Sequence, residues 1–496
     1  MLNATIIKNG LVYNGSGEPP LAADVVIRGN RIAQVCRRKE RRGDTVVDAS
    51  GALVMPGFID TAPHYDPCGI LTSPYGEAFL KEGITTKIDG AAGVSLAPLF
   101  SGSLAYLAEE MDFRGITMNW TSLRELLTAL ERRGTGLNFG TLVGERTLLS
   151  GFTQGASRDL SQRESQSLRE ALSRSFREGA FGFSHDGGNA NALALSGRNM
   201  RELACLTAHH GRVFAVSSLH ADVDASEDVT RAIALARETE GTVIAHFAPL
   251  SEREGALAAL SAIEEQAAGS AIRCIGSPFE SIPVPVCSFL PKTIRQGSHA
   301  EMRAYLAMHE KDEFLLVHLT QFDPQSITIA KMPVPFRSFE GMSLARFASE
   351  GGWTGPQAFI KLMQLSGLKA TCCYENALSQ ALGRFLVSPA SLTTPHRACA
   401  PQACIAPEGC VLAPSRFLSL VEKYGIPLER AVEKVTSLPA RLYRIEHRGR
   451  LREHYYADLV VFRNGTPSEV LVNGVFAVQS GIPQRTLSGK VLRCKS

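Results

Sequence analysis

The fold of this 496-residue chain is decided by residues 55–66, which read MPGFIDTAPHYD in one-letter code. The first half of this stretch is apolar and suits a short buried strand, whereas the second half is polar. A strand with a polar tip is typical of a parallel barrel, whose site lies at the carboxyl ends of its strands. His64 and Asp66 lie at this tip, and we expect both to take part in catalysis.

The same form, an apolar strand that runs into polar residues, recurs along the chain, and segments with helical spacing such as 160–178 separate the strands. Strands that alternate with helices predict a parallel sheet joined by crossovers. Nine strand candidates compete for the eight places of a barrel, so one of them is an extra strand. The candidates are 55–60, 84–89, 138–144, 179–186, 213–220, 242–246, 272–280, 369–375 and 385–389.

Both ends of the chain are rich in strand patterns, and they are predicted to build one small β domain from residues 1–54 and 441–496. The barrel domain is predicted over 55–284 and 351–440. Recurring prolines break the strand–helix rhythm over 285–350, which predicts an insertion. The predicted fold class is therefore α/β, a (β/α)8 TIM barrel with a small β-sandwich domain from both chain ends and an insertion beside the barrel.

Composition and charge exclude several classes of protein. Hydrophobic residues make up 44% and charged residues 20% of the chain, and the net charge of +3 predicts no nucleic-acid partner. No apolar run approaches the ~20 residues of a membrane span, and no secretory signal is visible. The eleven cysteines are scattered, which favours reduced thiols and a cytoplasmic location. The expected partner is a small-molecule substrate.

Several short segments, taken in order with residues 55–66, resemble the D-aminoacylase (N-acyl-D-amino-acid deacylase) branch of the amidohydrolase superfamily. The resemblance implies a barrel in which a zinc site activates a water molecule that attacks an amide carbonyl. It also implies an aspartate on the last strand that shuttles protons. The segments are 82–86, 93–99, 436–441, 449–451, 456–462, 472–474 and 489–493.

The residues that the family uses for its metal chemistry are mostly replaced in this chain. The resemblance leaves His64 and His246 as the retained ligand positions, whereas a catalytic zinc site needs about three protein ligands. Neither alanine nor proline can bind a metal ion or move a proton. The replaced positions are Ala62, Ala92 and Ser218 for ligands and Pro389 for the proton-shuttling aspartate.

The ionisable residues at strand tips are the candidate site residues. Lys87 has an alternative interpretation as a structural partner of Asp89, and a histidine at a barrel mouth also serves as a simple hydrogen-bonding residue. The predicted catalytic residues are His64, His246, His220 and Asp66. The predicted substrate-binding residues are Lys87, His185, Asp186, Glu280 and Ser388.

Three hypotheses for the function follow. The first is an enzyme of D-aminoacylase shape that acts on a small N-acylated or amino-acid-like substrate by metal-independent chemistry, with no cofactor expected. The second is an inactive pseudo-amidohydrolase that acts as a partner or scaffold of an active paralogous subunit. The third is a zinc-dependent deacylase with a single Zn²⁺ held by His64, His246 and either His220 or Cys68. A homo-oligomer is open under each hypothesis.

Overall fold

The structure is a computed structural model, and the elements below are those of its described residues. These residues are 4–37, 44–61, 69–91, 93–110, 116–153, 158–186, 197–218, 225–247, 254–269, 271–276, 281–295, 298–375, 379–393 and 413–495.

Strands occur at both ends of the chain and alternate with helices between them. The first group is β1 (Thr5–Val12), β2 (Leu21–Arg28), β3 (Arg31–Cys36), β4 (Thr45–Asp48) and β5 (Leu53–Pro56). Next come β6 (Phe58–Asp60), β7 (Ile84–Asp89), β8 (Asn138–Thr141), β9 (Val143–Gly144), β10 (Gly182–Asp186), β11 (Val213–Ser218), β12 (Thr242–Phe247) and β13 (Ile272–Gly276). The rest are β14 (Ser281–Pro285), β15 (Ile327–Lys331), β16 (Thr371–Glu375), β17 (Ser391–Thr393), β18 (Leu459–Arg463), β19 (Thr466–Val472), β20 (Val475–Gln479) and β21 (Ile482–Pro483).

Helices fill the connections. The first are α1 (Gly69–Thr72), α2 (Glu77–Lys81), α3 (Ser103–Glu110), α4 (Leu123–Arg133), α5 (Glu145–Thr153), α6 (Gln162–Glu178), α7 (Gly197–His209), α8 (Ala225–Thr239) and α9 (Glu254–Ala267). The others are α10 (Lys292–Arg295), α11 (His299–Met308), α12 (Glu313–Leu319), α13 (Leu344–Gly351), α14 (Gly355–Ser366), α15 (Ser379–Val387), α16 (Ala413–Lys423), α17 (Leu428–Val435) and α18 (Ser437–Leu442). Short 3-10 helices cover Val286–Phe289, Pro324–Ser326 and Phe336–Phe339.

The small β domain is one sheet that both chain ends build. In the described part of the chain this sheet has nine strands, ordered β21-β20-β19-β18-β5-β1-β2-β3, with β4 paired to β1. The two ends meet where β18 pairs antiparallel with β5, in the register Leu459↔Pro56. β5 therefore places Met55 and Pro56 in the β domain, two residues beyond the predicted boundary. The strands are hydrogen-bonded as one continuous sheet, and Val25 and Ile27 of β2 pack in one apolar cluster with Val461 of β18 and Leu471 of β19.

The barrel is a TIM barrel whose strands run parallel. β6, β7 and β8 pair in one run, and β9 to β13 and β17 pair in another. β8 and β9 are two halves of one strand interrupted at Leu142, so the described residues supply the eight strand positions of the fold. Alternate side chains, among them Ala215, Ile244, Ile275 and Leu392, form an apolar cluster inside the barrel.

The insertion is larger than predicted. An antiparallel sheet ordered β14-β16-β15 holds it together, and helices α11 to α14 pack with one another. Phe289 lies at the centre of the insertion, because the centroid of the Phe289 ring lies 5.0 Å from the ring centroids of both Phe322 and Phe359. The unit spans 281–375, so α14 and β16 belong to it and not to the barrel. The predicted strand 369–375 is thus the extra ninth candidate.

The predicted strand at 385–389 is wrong, because these residues end helix α15. Leu382, Phe385 and Leu386 are fully buried at helical spacing. A short apolar run suits a buried helix as well as a strand, so the periodicity could not distinguish the two. The last barrel strand is instead β17, which begins at Ser391.

Cysteine chemistry also departs from the prediction of reduced thiols, because Cys373 is disulfide-bonded. A disulfide depends on distance in the fold, which the spacing of cysteines along the chain does not reveal.

Within the described part of the chain, no helix has both the length and the apolar character needed to cross a membrane. The cytoplasmic location remains a prediction.

Candidate active site at the barrel mouth

Three polar side chains share one layer of the barrel interior. Asp186 on β10 is in register with Ser217 on β11, and Ser217 is in register with His246 on β12. Neighbours in register on parallel strands point to the same side, and side chains alternate along each strand. Ala215 and Ile244 lie two residues earlier and face the interior. Asp186, Ser217 and His246 therefore face the interior too, at the carboxyl ends of the strands.

His246 is a fully buried imidazole without a hydrogen bond. Its exposed fraction is 1%, and neither ring nitrogen has a hydrogen-bond partner in the described structure. Burial lowers the pKa of His246 to about 3, and the carboxyl of Asp60 opposes this shift. The imidazole is therefore neutral at pH 7. Buried polar atoms without partners are costly and rare in folded proteins, so this ring marks a place for a ligand.

Asp186 is held by an arginine that the sequence analysis missed. The Arg146 guanidinium lies 3.5 Å from the Asp186 carboxylate, and both side chains are buried. Arg146 stands in the first turn of α5, directly after β9, and its backbone amide donates to the Gly93 carbonyl at 2.8 Å. Its position just past a strand end was the signal that could have identified it.

Gly93 makes the close approach of these residues possible. Its φ is +75°, in the region that favours glycine, and a Cβ there would lie 3.0 Å from the Asp186 Cβ and 3.3 Å from the Arg146 Cδ. The Gly93 amide also donates to the Ser184 hydroxyl at 3.1 Å. Gly93 is thereby fixed against β10 at the rim of the barrel.

His185 faces away from the barrel interior, which contradicts its predicted substrate-binding role. It is in register with Val216, which packs in the outer apolar cluster between strands and helices. Its Nδ1 contacts the Glu145 carboxylate at the start of α5. Because side chains alternate along β10, Asp186 faces the site and His185 cannot.

Lys87 is also a structural residue, as its alternative interpretation proposed. Its ammonium group donates to the Asp89 carboxylate at 3.1 Å, and both residues are almost completely buried. It is in register with Phe139 of the outer cluster, and its ammonium lies 5.0 Å from the Phe79 ring. These contacts contradict the predicted substrate-binding role of Lys87.

Ser388 lies at the wrong end of the barrel to bind substrate there. The registers Cys274↔Ser391 and Gly276↔Thr393 show that β17 runs from its amino end at Ser391 towards the mouth. Ser388 precedes this strand and its carbonyl accepts from Lys434. Pro389 likewise precedes the strand, so it does not occupy a strand tip, and the inferred loss of a proton-shuttling aspartate at Pro389 no longer follows.

The remaining predicted residues lie outside the described part of the chain. These are His64, Asp66, His220 and Glu280, together with Ala62, Cys68 and Ala92. For Ser218 the backbone is in β11 and the side chain is not described. Among the predicted site residues that are described, the structure therefore brings Asp186 and His246 into one layer of the interior.

A metal ion is implied by the resemblance, and His246 is a suitable ligand for one. Its nitrogens are unpaired and its ring is neutral, as metal binding requires. The described residues contain no group of three His, Cys, Asp or Glu side chains that could hold an ion. They supply one of the about three ligands that a catalytic zinc site needs, so no reaction step is derived through zinc.

Comparisons with known proteins agree with this architecture. Residues 341–477 match the amidohydrolase family. The N-acyl-D-glutamate deacylase of Alcaligenes xylosoxydans xylosoxydans is 28% identical over 519 residues, covering 98% of this chain and 96% of that protein. The D-aminoacylase of the same organism is 25% identical over 473 residues, covering 94% and 89% of the two chains.

Solved structures show the same fold. The N-acyl-D-glutamate deacylase of Bordetella bronchiseptica, bound to zinc and a phosphonate inhibitor, superposes with a TM-score of 0.80 at 22% identity, over 99% of this chain and 100% of that one. A D-aminoacylase superposes with a TM-score of 0.78 at 22% identity, over 99% of each chain.

Residues 341–477 thus resemble the amidohydrolase family, and the whole chain shares its fold with the solved deacylase structures. Along nearly its whole length, the chain is similar to D-aminoacylases and N-acyl-D-glutamate deacylases. Its relatives are hydrolases, which agrees with the expectation of an enzyme.

Proposed function

We propose that this protein is a deacylase that hydrolyses the amide bond of a small N-acylated amino acid at the barrel mouth. The observation that carries the proposal is His246, a neutral and unpaired imidazole buried in the interior at the catalytic end of the barrel. Similarity over 98% of the chain to an N-acyl-D-glutamate deacylase supports the substrate class.

The chemistry of His246 favours a ligand role over acid–base catalysis. A base with a pKa of about 3 accepts a proton poorly at pH 7, because an effective catalytic pKa lies near the working pH. A neutral imidazole is instead the form that binds a metal ion or hydrogen-bonds to a substrate. The low pKa weighs against acid–base catalysis by His246 and leaves metal binding or substrate binding as its role.

Residues outside the described ranges would have to complete a metal site, with His64 and His220 as the first candidates. A zinc ion bound there would lower the pKa of its water to about 7, which supplies hydroxide at neutral pH. In the absence of a complete ligand set, the described residues support binding and orientation of the substrate.

Arg146 is a suitable group for the substrate carboxylate. An N-acylated amino acid carries a carboxylate at neutral pH, and a guanidinium binds carboxylates with two parallel hydrogen bonds. Arg146 already lies beside the Asp186 carboxylate at the rim of the interior. The buried pair holds the guanidinium in a defined place, which reduces the entropy lost when a substrate binds.

The decisive experiment measures the metal content of the purified protein and its hydrolysis of N-acyl-D-glutamate and N-acetyl-D-amino acids, before and after chelation. The proposal expects bound zinc and hydrolysis that chelation abolishes and zinc restores. The His246→Asn variant should lose at least about 100-fold in kcat/KM, while His209→Asn, on the exposed surface of α7, should not change it.

Two outcomes would overturn the proposal in different ways. Hydrolysis that chelation leaves unchanged would support the metal-independent hypothesis. A protein that binds zinc but hydrolyses no N-acylated amino acid of either stereochemistry would support the pseudoenzyme hypothesis.

A further inference from the structure

A second cavity lies far from the barrel mouth. It measures about 720 Å³ and is bounded by α18, the segment that follows it, and Lys495 near the carboxyl end of the chain. The Arg212 guanidinium, one residue before β11, donates to the Lys495 carbonyl at 2.9 Å. The cavity is therefore at the amino ends of the barrel strands, opposite the site described above.

The walls of this cavity carry a strong excess of positive charge, and we call it the cationic cavity. One acidic residue faces five arginine and lysine residues among the described lining. The charged lining residues are Arg441, Arg444, Arg448, Arg450, Lys495 and Glu446.

Two of the five cations are already neutralised. Arg448 is buried and paired with Asp458, and its other nitrogen donates to the Asn473 side chain at 2.8 Å. Lys495 pairs with Glu446. The Arg448–Asp458 pair is buried, whereas Lys495 and Glu446 pair at the exposed edge of the cavity, and neither cation accounts for the excess charge.

The other three cations lack a close acidic partner in the described structure. Arg441 reaches the Glu433 carboxylate only at 4.0 Å, and no ion pair is formed there by Arg444 or Arg450. Like charges around one cavity repel one another, and this repulsion disappears when an anion binds between them. The three guanidinium groups therefore provide a net charge that a ligand of opposite sign would neutralise.

Arg444 occupies a backbone position that favours glycine. The Ile445 amide donates to the Ala440 carbonyl at 2.7 Å and the Arg444 amide to the Arg441 carbonyl at 3.2 Å, the two bonds of a Schellman motif at the end of α18. Arg444 is the left-handed residue of this motif, with φ +54°. Glycine would adopt this conformation without strain, so local backbone stability does not explain the arginine.

Ser437 adds an uncharged donor to the wall of the cationic cavity. The residue is 5% exposed, and its hydroxyl has no hydrogen-bond partner in the described structure. A buried hydroxyl normally finds a partner, and Ser437 lines the same cavity as the three arginines, so its unpaired hydroxyl is a second observation that indicates a bound ligand.

We propose that the cationic cavity binds a small multivalent anion that carries phosphate or carboxylate groups. Guanidinium groups are the side chains best matched to both, because each offers two parallel donors to a pair of oxygens. A volume of about 720 Å³ suits an organic ligand rather than a single ion. The site is independent of the barrel mouth and of the proposed deacylase activity.

The test is calorimetric titration of the purified full-length protein with pyrophosphate and, separately, with citrate at constant ionic strength. The proposal expects saturable one-to-one binding of at least one of them, and the stronger of the two identifies the phosphate or carboxylate class. Arg444→Gly is the informative variant, since glycine suits this backbone position and the fold should be preserved.

Arg444→Gly combined with Arg450→Gln should weaken binding by about tenfold or more, because charge-assisted hydrogen bonds are lost. Arg452→Gln is the matched control, as this exposed arginine lies in the same segment and does not line the cavity. Absence of saturable binding of either anion to the unmodified protein would overturn the proposal, as would equal affinities of the double variant and the control.

Discussion

Asp186 and His246 lie in one layer of the barrel interior, because each is in register with Ser217 on the strand between them. The carboxylate is paired with Arg146, whereas the imidazole has no hydrogen-bond partner in the described structure. The site therefore has two sides. On the Asp186 side an ion pair holds the carboxylate in place, and on the His246 side a neutral imidazole is available to a ligand. The predictions below test the two sides separately.

The unpaired imidazole should cost stability. We expect His246→Leu to raise the free energy of unfolding by roughly 1 kcal/mol, because a buried polar group without a partner is replaced by an apolar one. The same variant should lose deacylase activity. Urea denaturation with parallel kinetics measures both, and a destabilised variant would show that the imidazole has a partner that stabilises the fold.

The pKa of His246 also sets a pH dependence. Its value of about 3 in the folded state lies below the value of about 6.5 for an exposed histidine. The unfolded state therefore binds this proton first, and stability falls as the pH decreases from 6.5 towards 3, by about 1.4 kcal/mol per pH unit. At and above pH 7 this contribution is fully retained.

The His246→Asn variant isolates this contribution from that of the carboxyl groups, which titrate in the same acidic range. The difference in unfolding free energy between the two proteins should change with pH between 6.5 and 3 and be constant above 7. A difference that is independent of pH throughout would contradict the neutral state of the buried imidazole.

How much of the fold was predictable depended on what each pattern encodes. Apolar strands with polar tips were predicted at 213–220 and 242–246, and the structure has the barrel strands β11 (Val213–Ser218) and β12 (Thr242–Phe247) there. The helix at residues 385–389 was not predictable in this way, because short apolar runs occur in both buried helices and buried strands. For the site, side chains alternate between the two faces of β10. This alternation shows which of Asp186 and His185 faces the interior only when the register with the neighbouring strand is known. Arg146 comes just past the end of the predicted strand 138–144, but its ion pair with Asp186 depends on the path of the chain after β9, which no local pattern contains.

The Lys87–Asp89 pair should contribute to stability and not to substrate binding. Lys87→Met leaves a buried carboxylate without its cation, and we expect a loss of about 3–5 kcal/mol. The double variant Lys87→Met, Asp89→Asn should recover a large part of this loss, because neither charge remains buried alone. A double-mutant cycle in guanidinium chloride measures the coupling. If folded Lys87→Met protein instead showed an increased KM at unchanged stability, the structural assignment would be wrong.

Gly93 should be intolerant of a side chain, and its effect should reach the Arg146–Asp186 side of the site. Gly93→Ala places a Cβ 3.0 Å from the Asp186 Cβ at a φ of +75°, so we expect a loss of roughly 1–3 kcal/mol in stability. Because the added methyl group also displaces Arg146, KM for an N-acylated amino acid should rise more than kcat falls. Gly352→Ala is the control, since its φ is +70° and a Cβ there meets no neighbour within 4 Å. Equal kinetic effects of the two substitutions would show that backbone strain alone, and not the position of Arg146, explains the result.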